Sequence, residues 1–395
     1  MKYNSLKGLY YTNKDLWNEV YNKRINGENI YKFNIGIERD FFVVITHDIL
    51  NKISKIIKLD KRLYAIANLL PQVALGNYTR MCIIDEIKGT NDIEGVVSTR
   101  EEIGSILENL KATKQKRLHG LIQKYSLLMK ESEEIETIED IRRIYDEIVL
   151  KEVVEENPEH MPDGSIFRKD IVKVENSSGK VIHKGLIEED KIIHAMNKVL
   201  DIMKDDTINQ FIKIPVIHYL IAYIHPFYDG NGRLIRYITS KQLVDELESI
   251  VGYKIAYTIK SNLPTYLKLF VEANLDCNRG DLTLFVSKFL DFIIIDIEEA
   301  MEAMEDAVNK FRYYSEKLEE MKLENKQDNI YNILLQNSLF ESTGIDIKTI
   351  KSVCLYSDTF IRKTLKEGVE KGLIEVTKVS KRLTYTLKLD VIDGM

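Results

Sequence analysis

The chain has little of what breaks a helix: only six prolines and nineteen glycines occur in 395 residues. With Leu, Ile, Lys and Glu abundant, that scarcity favours helices. Cysteine is scarcer still. Cys82, Cys277 and Cys354 have neither an even count nor metal-site spacing, which excludes a disulfide framework and suits a reducing cytoplasm. The opening MKYNSLKGLYYTNKDLW has no apolar core, and no stretch approaches the eighteen or so uninterrupted apolar residues of a membrane span. A cytoplasmic protein without a membrane partner is expected. A formal net charge of −6 gives no global attraction for nucleic acid or anionic lipid. Internal repeats and low-complexity segments are absent too.

Apolar residues recur at three- and four-residue intervals over 135–154, 192–203 and 284–311, the spacing of amphipathic helices. Three pieces follow: an N-terminal helical region (1–110), a mostly helical centre (111–310), and a C-terminal piece (311–395) reached through the polar stretch at 317–328. The centre is interrupted once, by FRKDIVKVENSSGKVIHKG at 167–185. Ile171–Val174 and Lys180–His183 read as short strands there, with Asn176-Ser177-Ser178-Gly179 as the turn. The C-terminal piece reads helix, helix, helix, hairpin, the order of a winged helix-turn-helix.

The densest polar chemistry is HPFYDGNGRLIR, residues 225–236, directly after the apolar helical run 216–224. Pro226 ends that helix near His225, Asp229–Gly232 turn, and a second helix begins. The loop therefore feeds a helix N-terminus, where unpaired N–H groups and the positive end of the dipole bind anions. Arg233 and Arg236 share a face in a first turn where the dipole disfavours positive charge, which points to a polyphosphate addressed by both. Asp229 would face that phosphate, a repulsion that a bridging Mg²⁺ removes. His225 has the one side chain in the loop whose ordinary pKa lies near neutrality, which suits a base for an attacking hydroxyl.

HPFYDGNGRLIR resembles the Fic family signature, His-x-Phe-x-Asp/Glu-Gly-Asn-Gly-Arg-x-x-Arg, at every defined position. Most known members transfer AMP from ATP to a Ser, Thr or Tyr hydroxyl of a protein. The resemblance implies a Fic-type helical core with a β-hairpin flap. It implies His225 as base, Asp229 as Mg²⁺ ligand, Asn231 and the Gly230–Gly232 backbone on the α-phosphate, and Arg233 and Arg236 on the β- and γ-phosphates. Phe227 would be a buried anchor. Related Doc toxins, which transfer a phosphoryl group, have Lys where this chain has Gly232.

Residues 90–95, TNDIEG, resemble the family's inhibitory motif Ser/Thr-x-x-x-Glu-Gly, with Thr90 and Glu94 on one helix face. The resemblance implies that Glu94 pairs with Arg236 in place of the γ-phosphate. The hairpin at 167–185 resembles the family's flap, along which an extended target protein would pair. TYLKLFVEANLD, 265–276, is similar to the segment lining the adenine pocket, with Tyr266 and Asn274 as the candidates. His218, seven residues before His225, is expected to be packed and hydrogen-bonded in the core.

Over 326–389 eleven Lys+Arg stand against seven Asp+Glu. Ser357, Thr359, Arg362, Lys363 and Lys366 on the would-be recognition helix, with the basic wing at 377–382, make DNA a candidate partner. Winged helices also mediate protein contacts, so a homodimer is another. The sequence-based reading is a self-inhibited adenylyltransferase using Mg-ATP. The alternatives are a hydrolase removing AMP at the same site, and a nucleotide-sensing DNA-binding regulator.

Overall fold

A computed structural model of the chain describes residues 3–112, 116–128, 134–175, 181–340, 344–379 and 382–394. They are mainly helical, with three two-stranded antiparallel sheets. The chain divides into two compact units, Met1–Asp60 with Cys82–Glu298, and Lys61–Met81 with Glu299–Met395. Among the described residues no helix is long and apolar enough to cross a membrane.

The first unit is organised around the helix Gln210–Ile224. Every residue from Phe211 to Ile221 is buried, so this helix is apolar on all sides and runs through the core. The Tyr219 ring meets Phe41, Phe270 and Phe285 at centroid distances of 5.6, 5.9 and 5.2 Å. His218 is buried as expected, with Nδ1 2.7 Å from Thr239 Oγ1 and Nε2 2.8 Å from the Tyr266 hydroxyl. Thr239 donates its own proton to the Ile235 carbonyl, so His218 Nδ1 must be the donor and Nε2 the acceptor. Burial pushes the imidazole pKa down to about 3 and keeps it neutral.

The N-terminal region is not purely helical. It contains the hairpin Ile30–Phe33 and Phe41–Val44, with Gly36 in the left-handed region at φ 74° between them. Phe41, Phe42 and Val43 are all buried, so the second strand shows no alternation by which a sequence pattern would announce it. Phe42 also pairs with the Gly280–Leu282 segment through both its N–H and its carbonyl.

The helical stretch expected at 135–154 is one helix with an irregular middle. Thr137 and Asp140 form a capping box at the start of Ile138–Tyr145. A π-helical turn, Asp146–Leu150, precedes the helix Lys151–Glu156. The hairpin follows as Lys173–Glu175 and Val181–Lys184, with Val174 opposite His183. Its turn, Asn176–Gly179, lies outside the described residues.

In the second unit the helices Asn325–Phe340, Ile347–Cys354 and Asp358–Glu370 precede the strands Ile374–Val379 and Arg382–Leu387. Ile345 adds a bridge to Tyr385, and Ile330, Leu334, Ile350, Ile361, Leu365 and Leu387 close a core of their own. The element order is the one read from the sequence. Ser357, Thr359, Arg362, Lys363 and Lys366 are exposed.

Candidate active site

The helix Gln210–Ile224 ends at His225, which takes the left-handed conformation (φ 55°, ψ 64°) and caps the helix by donating its N–H to the Ile221 carbonyl. A non-glycine residue held there is strained, a state that persists where the surroundings impose it. One ring nitrogen of His225 is hydrogen-bonded to the Ala222 carbonyl and so carries the proton, leaving the other as an acceptor. Burial pushes its pKa down to about 4, helped by the nearby Arg168 and His183 and opposed by Asp229. The imidazole is neutral at pH 7, the form a proton acceptor needs.

The loop is closed on itself. The Asn231 side chain donates to the Phe227 carbonyl at 2.8 Å and accepts from the Phe227 N–H at 3.0 Å. The fully buried Phe227 ring stacks on Tyr145 with centroids 3.6 Å apart and meets Phe167 edge-on. Gly230 is left-handed at φ 77°, and a Cβ there would stand 2.8 Å from Val149, so shape and conformation both demand glycine. The next helix, Asn231–Glu246, starts here, and its first amides are left unpaired by the helix itself. Asp229 points outward, with Oδ2 3.7 Å from His160 Nδ1 and its side chain 42% exposed.

Both arginines of the loop helix are buried and already paired with carboxylates. Arg233 bonds Glu152 at 2.8 Å, while its Nε is buried with no partner among the described residues. Glu152 is held by accepting from the Leu118 N–H at 2.9 Å. Arg236 donates from Nε to Thr90 Oγ1 at 2.7 Å, and from Nη2 to the Thr90 carbonyl at 3.1 Å and to Glu94 Oε1 at 2.7 Å. Glu94 lies just past the helix Gln72–Ile93, which closes with Gly95 at φ 74° and a Val96 N–H to Asn91 carbonyl bond. Its carboxylate sits directly over Gly232, where a Cβ would come within 2.1 Å of Oε1. Two turns back along the same face, the wholly buried Glu86 accepts from Ser240 Oγ and the Ala256 N–H, and burial raises its pKa to about 7.

Thus Thr90, Glu94, Gly232 and Arg236 meet in one place, with His225, Asp229, Gly230, Asn231 and Arg233 along the same loop. Tyr266 is buried behind Arg236, its hydroxyl bonded to His218 and within hydrogen-bonding reach of the guanidinium. Asn274 accepts from the Tyr219 hydroxyl at 2.6 Å. The hairpin lies against His225: the Leu186 N–H bonds the Ile224 carbonyl, and the His183 ring sits 2.6 Å from the Tyr223 carbonyl.

Sequence reasoning missed Tyr145, Val149 and Glu152, which one irregular helical stretch brings to Phe227, Gly230 and Arg233. It also missed Arg168, buried beneath His225. A π turn leaves no sequence signal of its own, although such turns gather at functional sites. Beside Lys169 and Asp170, Arg168 reads in the sequence as one of several surface charges.

The site thus places a neutral histidine at one end of a glycine turn and two carboxylate-paired arginines at the other. Residues 135–243 match the Fic/DOC family model. A Fic family protein from Desulfovibrio desulfuricans G20 is 18% identical, with 87% of this chain and 97% of that one covered and a TM-score of 0.55. A Fic domain containing signaling protein from Bacteroides thetaiotaomicron VPI-5482, also 18% identical, covers 63% of this chain and 97% of its own at a TM-score of 0.46. A Fic-1 fragment from C. elegans, 18% identical, covers 62% and 72% at 0.41. At these identities the first likeness is one of fold. Among curated proteins none matches. The likeness to the Fic/DOC family is thus carried by residues 135–243, and that family generally transfers nucleoside monophosphates to proteins.

Proposed function

We propose that the protein transfers AMP from Mg-ATP to a Ser, Thr or Tyr hydroxyl of a target protein, and that Glu94 restrains it. The observation that carries this reading is the Glu94–Arg236 pair over Gly232, 2.7 Å long, at the start of the loop helix. An anion seat built from a helix N-terminus and two arginines already holds a carboxylate of its own chain. A γ-phosphate and Glu94 compete for the same guanidinium, so productive binding requires Glu94 to leave.

In this reading the first-turn amides of the helix Asn231–Glu246 take the α-phosphate, and Arg233 and Arg236 take the outer phosphates. Asn231 contributes its main chain, since its side chain is committed to Phe227. The acceptor nitrogen of His225 receives the target hydroxyl's proton as that oxygen attacks the α-phosphorus. The bond from the α-phosphorus to the bridging oxygen breaks, and pyrophosphate departs. Asp229 fits a Mg²⁺ ion: a single half-exposed carboxylate with one oxygen turned outward is the share of ligands a protein supplies when phosphates and water complete the shell. Such an ion, when bound, offsets phosphate charge. Tyr266 belongs to the nucleotide site through Arg236. Cys82, Cys277 and Cys354 form no disulfide among the described residues, which suits a reducing cytoplasm. The target lies along the hairpin at 167–185. Removal of AMP would use the same residues. On the helix Asp358–Glu370, Lys363 and Lys366 are each paired with a glutamate one turn on, which singles out no DNA contact.

The test supplies ATP labelled at the α- or γ-phosphate, with Mg²⁺, to wild type, Glu94→Gly and His225→Ala. Protein label from the α-position only, strongest in Glu94→Gly and absent in His225→Ala, is expected. Label from the γ-position would mean phosphoryl transfer. No gain in Glu94→Gly over wild type would remove the restraint from the reading.

A further inference from the structure

Arg168 is completely buried and forms no ion pair among the described residues. A guanidinium taken out of water without a carboxylate is costly, so its partners must compensate fully. All of them are main-chain carbonyls. Nε donates to the His225 carbonyl at 2.9 Å. Nη2 donates to Leu186 at 2.8 Å and, more weakly, to Ile224 at 3.5 Å. Nη1 reaches Asp170, and the Arg168 N–H donates to the Pro226 carbonyl at 3.3 Å.

These oxygens belong to three segments. Asp170 precedes the first hairpin strand, Leu186 follows the second, and Ile224–Pro226 form the end of the core helix and the entry to the loop. The helix end has a reason to accept a cation. Its last carbonyls lack intrahelical partners and carry the negative end of the dipole. Lysine offers one compact charge, whereas the planar fork of arginine engages several oxygens at once in fixed directions. The seam is tight throughout: a Cβ on Gly185 would stand 2.4 Å from Arg168 Nη2 and 3.0 Å from His225 Cβ.

We propose that Arg168 is a positioning residue that makes the hairpin and His225 a single rigid unit, so that a target strand laid along the hairpin presents its hydroxyl to the histidine in fixed register. The inference rests on the reading of His225 as the base. Register matters because neighbouring residues of an extended strand are about 3.3 Å apart and point to opposite faces. A base displaced by about 1 Å already costs on the order of a hundredfold in rate.

The test compares the full chain with Arg168→Lys, which keeps the charge and loses the fork. Amide exchange followed by mass spectrometry is expected to speed up at least about tenfold, a shift in opening equilibrium of about 1.4 kcal/mol, in peptides covering 171–175, 181–186 and 224–227 together. Exchange across 232–246 and the affinity for Mg-ATP by titration calorimetry stay unchanged. Unaltered exchange in the hairpin overturns the proposal, and so does equal acceleration over the whole domain. In a Glu94→Gly background the substitution should lower kcat by roughly a hundredfold while KM for ATP holds. Undiminished kcat there would overturn the positioning role. If Glu94→Gly itself transfers nothing, the functional reading fails, and the exchange pattern still decides the mechanical coupling.

Discussion

Replacing Gly232 by alanine tests how Glu94 is seated. The new Cβ would lie 2.1 Å from Glu94 Oε1 and 2.7 Å from its Cδ, so the carboxylate must swing away from Arg236. The opposing effect is local: alanine is better than glycine inside a helix by about 1 kcal/mol, less in a first turn. Arg236 is 1% exposed and keeps Thr90, while the Glu94 side chain is 25% exposed, which discounts the pair below a fully buried one. Losing it should cost about 1–2 kcal/mol. Gly232→Ala is therefore neutral to mildly destabilising in the wild type and stabilising by about 0.5–1 kcal/mol when Glu94 is already glycine. Urea unfolding of the four proteins of this cycle should give a coupling of about 1–2 kcal/mol. Additivity within about 0.5 kcal/mol would show that the carboxylate is not what alanine meets, and would refute the argument.

Transfer by Glu94→Gly should be flat from pH 6 to 8 and fall only as pH drops toward about 4, because His225 must be neutral to accept a proton and burial has moved its pKa there. An acid limb centred near the ordinary histidine value would contradict the burial argument. Glu86, raised to about 7, stabilises the fold fully below its unfolded value of 4.5 and loses that contribution as pH rises through 7. Melting curves of Glu86→Gln should accordingly improve relative to wild type between pH 5 and pH 8; a constant difference would count against it. Phe227→Ala removes the ring stacked on Tyr145 and should cost about 3–5 kcal/mol by chemical denaturation. A loss below about 1 kcal/mol would mean that the loop does not depend on that ring.

How legible the site was depends on how far apart in sequence its parts lie. HPFYDGNGRLIR showed its chemistry directly, because turn, helix start and charges are consecutive and each obeys a local rule. The contact of Thr90 and Glu94 with Arg236 became readable only through resemblance, since some 140 residues separate the partners and nothing local links them. Glu152 and Arg168 were silent for a different reason. Their side chains look like ordinary surface charges until the fold buries them against a buried arginine and a set of carbonyls. The hairpin Ile30–Phe33 and Phe41–Val44 was hidden because its inner strand is buried on both faces and too short to alternate. Asn274, a polar residue in an aromatic helix, accepts from the Tyr219 hydroxyl, a partner 55 residues away that no local pattern announces.

The carboxylates on Arg233 and Arg236 also bear on encounter. Glu152 and Glu94 offset the charges of Arg233 and Arg236, so at the phosphate seat proposed above an approaching polyanion would meet little attraction from these two arginines. Capture by the resting protein then proceeds at an ordinary diffusive rate with weak dependence on ionic strength. Each carboxylate withdrawn restores one positive charge in a low-dielectric hollow, and if the site takes a nucleotide as proposed, the same act would switch on long-range attraction for it. In the proposed function, recruitment of the nucleotide and release of Glu94 would be governed by one electrostatic event.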